Sequence, residues 1–418
     1  MVVGVVLVAL NLRIAVAAVS PILDVIRQDV PFSVPQAGLL GTVPVISFAI
    51  FGSLAPLVAR RFGIEPTLVV AMLVSAGGEV ARAMASTSSA FLAWSGVALA
   101  GMGMGNVLLP PLVKRYFPDR IGPVTAVYSM ALALSTTVPP LLAAPLARQA
   151  GWRVSLGLWT VVGLASVVPW LVVIARSTTA RRRLRELLRR ARRRDDAGAE
   201  VSTAPDVDAS GRVWRSPLAW GLALMFAMNS LNAYVMIAWL PQILLDAGID
   251  AAATGPWLAL YSILGLPISL VVPLLAARMR NPLPVVLVFQ VCLVSGYLGL
   301  MLSPAGATAA WVVLASVGTG AFPLALALMN LRTRTADGAV RLSGFSQGVG
   351  YALAGVGPVL VGVLHAATGA WTAPFALLFV SAGLLLGGAV VACRPVMLED
   401  GWGRRARQRS IVLSSDTR

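Results

Sequence analysis

Apolar runs long enough to cross a bilayer, about 20 residues each, recur twelve times along this 418-residue chain. They fall at 2–22, 37–58, 66–85, 90–112, 121–146 and 154–175, then at 217–241, 255–277, 283–303, 307–330, 342–364 and 372–393. Only 12% of the residues are charged, against about a quarter in a soluble domain, and the mean hydropathy is +0.83. The outer surface therefore has to match lipid. Each backbone must satisfy its polar groups within the membrane, which selects helices over open strands. The expected fold is an all-α polytopic membrane protein with twelve transmembrane helices.

The formal charge of +16 does not indicate nucleic acid, because the charges sit between and after the apolar runs. With the N-terminus placed in the cytoplasm, 28 of the 33 basic residues fall on the inner side. The opposite topology would translocate nearly all of them, against the positive-inside bias. Both termini and the central linker are expected in the cytoplasm, in the plasma membrane of the cell. The segment 1–20 lacks a basic start, and Arg13 interrupts it, so it reads as a retained first helix rather than a cleaved signal. The chain starts almost inside that helix, which leaves the position of the true start open.

The chain divides into a six-helix half at 1–175, an arginine-rich linker at 176–215, a second six-helix half at 216–393 and a tail at 394–418. An internal repeat at an offset of 217 supports the division. Ala55-Pro-Leu-Val-Ala-Arg60 aligns with Val272-Pro-Leu-Leu-Ala-Ala277, Ala93-Trp94 with Ala310-Trp311, Gly101-Met-Gly103 with Gly318-Thr-Gly320, and Arg115 with Arg332. Duplication of an even number of helices gives two copies of the same orientation, a parallel repeat. In the linker, Leu184, Leu187, Leu188 and Ala191 recur at helical spacing among arginines. That pattern fits an amphipathic helix on anionic lipid, or equally a solvated basic connection.

Several chemistries are excluded. Lys114 is the single lysine and lacks the glycine-rich context of a phosphate loop; one histidine, His365, rules out His-Glu-x-x-His zinc chemistry. Gly344-Phe-Ser346-Gln-Gly348 spells a hydrolase elbow but lies in an apolar helix, where its glycines suit close helix packing. Cys292 and Cys393 suggest neither a metal site nor a disulfide framework. The expectation is a non-enzyme with no cofactor.

Polar residues inside apolar runs are costly and mark function or interhelical bonding. Arg13 stands about 11 residues into the first helix, roughly 16 Å along it. Its guanidinium would either fork onto a planar anion or cap carbonyls of a neighbouring helix. Glu79 and Arg82, at i and i+3 on the third helix, are placed to pair, as a proton-coupling site or as a structural ion pair. Asn229 and Asn232 share a face of the seventh helix, Asn106 lies beside Pro110-Pro111, Tyr128 begins the fifth, and Gln347 and Tyr351 share a face of the eleventh. Together they supply the few polar groups of a mostly apolar pocket. His365, near the outer end of the eleventh helix, reads as interfacial.

Twelve helices as six plus six around a basic linker resemble the major facilitator superfamily (MFS). Arg60-Arg-Phe-Gly63 resembles the end of that superfamily's loop signature, although Pro56 replaces its leading Gly and Arg60 its Asp. Four stretches narrow the resemblance: Asn11-Leu-Arg13, the run from Asn106 to Pro118, Trp239-Leu-Pro241 with Gly248, and Gln347-Gly-Val-Gly-Tyr351 through Gly357-Pro358. They are similar to the cyanate permease and 2-nitroimidazole transporter (CynX/NimT) branch, over roughly residues 5–395. That branch commonly carries Pro after Asn-Leu-Arg; here it is Ile14. The resemblance implies secondary transport by alternating access of a small solute, such as a cyanate-like anion, with a proton as the possible coupling ion. It also implies a cavity lined by the first and fourth helix of each half. Asn11, Arg13, Asn106, Asn229 and Asn232 are then candidate contacts, with Tyr128, Gln347 and Tyr351. The alternatives are efflux of neutral heteroaromatic compounds and a membrane sensor without transport. A monomer, with no nucleic-acid partner, is expected.

Overall fold

The computed structural model describes residues 1–32, 34–176 and 213–400, and the linker pattern at 184–191 lies outside them. In the first half α1 runs Val2–Ala17, α2 Val34–Phe62, α3 Ile64–Ala83, α4 Ser88–Tyr116, α5 Ile121–Ala150 and α6 Trp152–Arg176. In the second, α7 runs Pro217–Asp246, α8 Ala253–Arg278, α9 Leu283–Leu302, α10 Thr308–Leu331, α11 Ala336–Thr368 and α12 Thr372–Ala392. Eleven of these are long and apolar enough to cross a membrane by themselves; α1 is shorter. Exposed Val70, Leu141, Val161, Val291 and Val363 present apolar surface outward, as a lipid-facing wall requires.

Several helices run past the ends expected from their apolar windows. α2, α4, α5 and α7 have 29 to 30 residues, about 44 Å at 1.5 Å per residue, against about 30 Å of hydrocarbon. Charged or amphipathic ends, such as Lys114-Arg115, close an apolar window before the helix itself stops. Others are broken where glycine or proline weakens the ladder: α8 at Leu264 before Gly265, α10 at Thr319–Gly320, and α11 at Gly355–Val356 before Gly357-Pro358.

The expected single helix over 2–22 is corrected by the structure. Val2–Asn11 and Ile14–Ala17 are separate helices, divided at Leu12 and Arg13, and a 3-10 turn, Ser20–Ile22, leads to a short helix, Leu23–Asp29. Neither Gly nor Pro lies at the break. The segment after the break is tied to α3: the Ala15 carbonyl, left over where Ile14–Ala17 ends, accepts from Arg82 at 2.8 Å.

Packing repeats across the halves. α1 packs on α5 and α6, α2 on α4, and α3 on α4 and α6; in the second half α7 packs on α11 and α12, α8 on α10, and α9 on α10 and α12. Contacts between halves obey the same six-helix shift: α2 with α11 is matched by α8 with α5, and α4 with α11 by α10 with α5. That pairing describes a two-fold relation between the halves, as a parallel repeat requires. The 217-residue offset continues at Asp29 and Asp246, each with a tryptophan partner, the two tryptophans lying 219 positions apart. Asp29 accepts from the Trp152 indole at 2.8 Å where α6 begins, and Asp246, 217 positions on, accepts from the Trp371 indole at 3.0 Å where α12 begins.

Both halves also carry a glycine against a helix backbone. A methyl on Gly101 would run into the Ala71 carbonyl and Ser75 of α3, and one on Gly318 would stand 2.5 Å from the Leu293 α-carbon of α9. Gly344 and Gly348 of α11 receive the side chains of Pro56 and Ser53 of α2, so the hydrolase-like pattern serves packing between halves. α4, α7 and α10 form the middle of the molecule: 83%, 72% and 72% of their spanning windows are buried, against 17% for α8.

At the end that carries the linker, the halves are tied by a charge on main-chain oxygens. The Lys114 ammonium of α4 donates to the Asn330 carbonyl of α10 at 2.8 Å and to the Thr333 carbonyl. Arg332, counted in the sequence among loop charges, is a buried brace instead. It is 6% exposed and donates to the carbonyls of Arg280, Ala392 and Cys393 at 3.0, 3.3 and 2.6 Å, closing the ends of α8 and α12.

Candidate functional site

Arg13 occupies the break in α1, with φ −122° and ψ −9°, so its side chain leaves the helix where the backbone turns. It crosses to the other half. Nη1 donates to the Tyr234 hydroxyl of α7 at 3.3 Å and Nη2 to the Tyr351 hydroxyl of α11 at 2.9 Å. The guanidinium carbon lies 5.3 Å from the Phe48 ring centre and 5.8 Å from that of Tyr351. Aromatic faces attract a cation, yet among the described residues Arg13 has no carboxylate partner. An unneutralised charge inside an apolar bundle is costly.

Asn106 of α4 completes the group. Its amide donates to the Tyr351 hydroxyl at 2.7 Å and to Gln347 Oε1 at 3.0 Å. Gln347 in turn donates to Ser343 Oγ at 2.8 Å, and Ser343 donates to the Val107 carbonyl at 2.9 Å. The proline pair after Asn106 lies within α4, and Phe226 stands edge-on to Tyr351 with ring centres 5.1 Å apart.

The direction of these bonds has a chemical consequence. Tyr351 accepts from both Arg13 and Asn106, which leaves its own O–H to donate. Tyr234 accepts from Arg13 and likewise keeps its proton. A guanidinium carries five N–H groups, and two are used among the described residues. The face around Arg13 is therefore rich in donors, the complement of an acceptor-rich or anionic molecule.

Of the residues singled out in the sequence, Arg13, Asn106, Gln347 and Tyr351 come together here. The others do not join their hydrogen bonds. Asn11 turns into its own half, donating to Ser75 Oγ at 3.2 Å. Asn232 accepts from Tyr297 at 2.9 Å and Ser381 at 3.2 Å, joining α7 to α9 and α12. Asn229 is 1% exposed with its carbonyl oxygen unpartnered, and Tyr128, also 1% exposed, has an unpartnered hydroxyl. The pairing expected between Glu79 and Arg82 is not formed: no ion pair joins them, and Arg82 reaches the Ala15 carbonyl instead. Burial explains the difference, because a guanidinium with a carbonyl in reach satisfies a freed backbone group that nothing else serves. His365 lies at the far end, stacked on Trp371 at 4.0 Å and 3.6 Å from Asp246.

Sequence reasoning missed Tyr234, Phe48 and Ser343. Tyr234 is one of only six tyrosines, a scarcity that gives each phenol in an apolar helix weight. Phe48 carried no signal among apolar neighbours.

Comparison with known proteins gives the following. A family model described as Major Facilitator Superfamily matches residues 3–358. The 2-nitroimidazole transporter of Escherichia coli (strain K12) is 34% identical, over 89% of this chain and 89% of its own. The uncharacterized transporter YycB of Bacillus subtilis (strain 168) is 32% identical, over 92% and 91%. The cyanate transport protein CynX of E. coli (strain K12) is 26% identical, over 87% and 89%. Among solved structures, the proton:xylose symporter XylE superposes with a TM-score of 0.71 at 14% identity, covering 95% of this chain and 97% of that one. At that identity the likeness concerns the fold.

Proposed function

The chain belongs to the major facilitator superfamily and is a transporter of small solutes; from that premise we propose that its solute is a small anion bound by Arg13 where the two halves meet. The observation that carries this reading is a guanidinium bonded, among the described residues, only to neutral hydroxyls and ring faces, in a group whose spare hydrogen-bonding capacity is donating. A planar anion would take the free N–H fork of Arg13, with Tyr234 and Tyr351 donating their protons to it. Asn106 and Gln347 would hold Tyr351 in place. The halves would rock about this site, with the Lys114 bonds fastening the linker end while the opposite end admits solute. The charge distribution supports a plasma-membrane protein with linker and termini in the cytoplasm.

A second reading is supported by the rings of Phe48 and Tyr351, 5.3 Å apart beside Arg13, which suit a flat heteroaromatic ring, and by the name of the 34% identical relative. One experiment separates the two. Uptake of cyanate and of 2-nitroimidazole is measured in proteoliposomes for the wild type, Arg13→Lys and Arg13→Ala, each normalised to folded protein. For an anion, Arg13→Lys retains charge but loses the fork, and affinity falls by about tenfold to a hundredfold, the worth of roughly 1.5–3 kcal/mol for a charged hydrogen bond. Arg13→Ala falls further, since the desolvated anion then has no counter-charge. Unchanged affinity and flux in Arg13→Ala would move the solute off Arg13 and favour the neutral ring.

A further inference from the structure

Behind the break in α1, on the side away from Arg13's guanidinium, lies a second polar cluster. Along α3, Ser75, Glu79 and Arg82 follow i, i+4, i+7 and so share one face; all are buried, with Glu79 0% and Arg82 1% exposed. Ser75 and Arg82 hold α1 on both sides of its break, Ser75 through the Asn11 amide and Arg82 through the Ala15 carbonyl. The α6 helix closes the cluster. Gly163 lies against Ala76 and Gly157 against Ala83, so the antiparallel register puts Thr160 level with Glu79.

This cluster holds a concentration of buried polar atoms without partners: Glu79 Oε1 and Oε2, Arg82 Nε, Asn11 Oδ1 and Thr160 Oγ1. A carboxylate in that position is fully desolvated and has no donor, which disfavours the ion in apolar surroundings. The protonated acid avoids that penalty and gains a donor of its own. Glu79 lies four residues before the last residue of α3, about 6 Å at 1.5 Å per residue, near the end opposite the linker.

We propose that Glu79 is a proton-binding site whose state sets the partner of Arg82 and thereby the break in α1 that positions Arg13. A proton from the far side forms an O–H bond on one Glu79 oxygen; the neutral acid leaves Arg82 on the Ala15 carbonyl, the arrangement seen here. Loss of that proton leaves a carboxylate one turn from Arg82, which draws the guanidinium away and releases Ala15. Asn11 and Ala15 bracket Arg13, so the release reaches the solute site through two residues of backbone. Arg82 is the charged group that acts on Glu79. Of the elements packed on α3, α1 brings Asn11 to Ser75 and the Ala15 carbonyl to Arg82, α2 carries Arg60 and Arg61 at its linker end, α4 brings Phe91 to the Arg82 guanidinium, and α6 brings Thr160. The charges of these elements lie elsewhere: Arg13 on Tyr234 and Tyr351, Lys114 and Arg115 at the linker end, Arg153 on Asp29, and Arg176 at the end of α6.

The inference deepens the transport reading, and its test has an arm that needs no solute. Infrared difference spectra of the wild type and Glu79→Gln in lipid, titrated from acid to alkaline pH, are expected to show a protonated carboxyl stretch that is lost as pH rises and is absent from the variant. The same band in both proteins, or none in the wild type, overturns the proposal. In the second arm, the pH dependence of cyanate and 2-nitroimidazole binding is compared. One linked proton changes affinity by about tenfold per pH unit, and Glu79→Gln is expected to flatten that slope to under about twofold. An unaltered slope overturns the link to Arg13. If neither compound binds the wild type, the choice of solute fails while the infrared arm still decides the proton site.

Discussion

At the residue scale, a charge acquires its role from whatever desolvates it. Arg13, Arg82, Lys114 and Arg332 all sit within the bundle or at its rim, and each meets hydroxyls or carbonyls instead of a carboxylate. The sequence marks Arg13 because an arginine interrupting an apolar run cannot be overlooked, whereas Phe48 looks like any ring in an apolar run until the fold brings it beside Arg13. Outside the membrane the opposite case occurs at Asp29. The Trp152 indole, and secondarily the Arg153 guanidinium, bond its charged form and hold the carboxyl below its ordinary value of 3.8. A depressed folded-state value means a contribution fully present above the unfolded value and lost as pH falls from there through the lower folded-state value. Asp29 and Arg153 are both about half exposed, so the effect is small. Because Trp152 is buried, Trp152→Phe should melt below the wild type at every pH, with a gap that is constant above about pH 4 and narrows as pH falls from there towards about pH 3. Parallel curves would show that the bond does not discriminate between charged and neutral Asp29.

At the element scale, helix-to-helix approach is set by where a side chain is missing. Gly101 and Gly318 occupy equivalent positions and leave room for the backbones of α3 and α9, which the repeated Gly-x-Gly already implied. An alanine at either position overfills the contact. Gly101→Ala and Gly318→Ala should each cost about 1–3 kcal/mol, read as a fall in melting temperature of roughly 2–4 °C per kcal/mol. Gly77, with open space where its side chain would be, is the control, and Gly77→Ala should match or exceed the wild type. Equal melting temperatures for all three would remove close packing as the reason for the repeat. Helix positions were legible from hydropathy because lipid imposes length. The break in α1 was not, since Leu12-Arg13-Ile14 contains no helix breaker and the bond that ties down the segment after it comes from Arg82, 67 positions from Ala15. The second halves of the Asp–Trp pairs escaped notice for the same reason: their spacing is set by the tertiary fold and not by any local period.

At the scale of the whole molecule, the two-fold pairing of α2–α11 with α8–α5 gives the halves matched bearings. Gly122 of α5 lies against Ala277 of α8, where a side-chain carbon would meet the Ala277 β-carbon at 2.5 Å. Cysteines at both positions, with Cys292 and Cys393 changed to serine, need only a slight separation to reach the roughly 3.5–4.5 Å of a disulfide. Oxidation should stop flux, and a reductant should restore it; full flux through the cross-linked protein would rule out rocking at this contact. Lys114 adds a consequence for how such a protein drifts over generations. Its receivers at positions 330 and 333 are main-chain oxygens, which every residue type possesses. Substitutions on the α10 side therefore leave the acceptors standing, and the whole hereditary risk of losing this fastening is concentrated in a single codon, that of the only lysine in the chain.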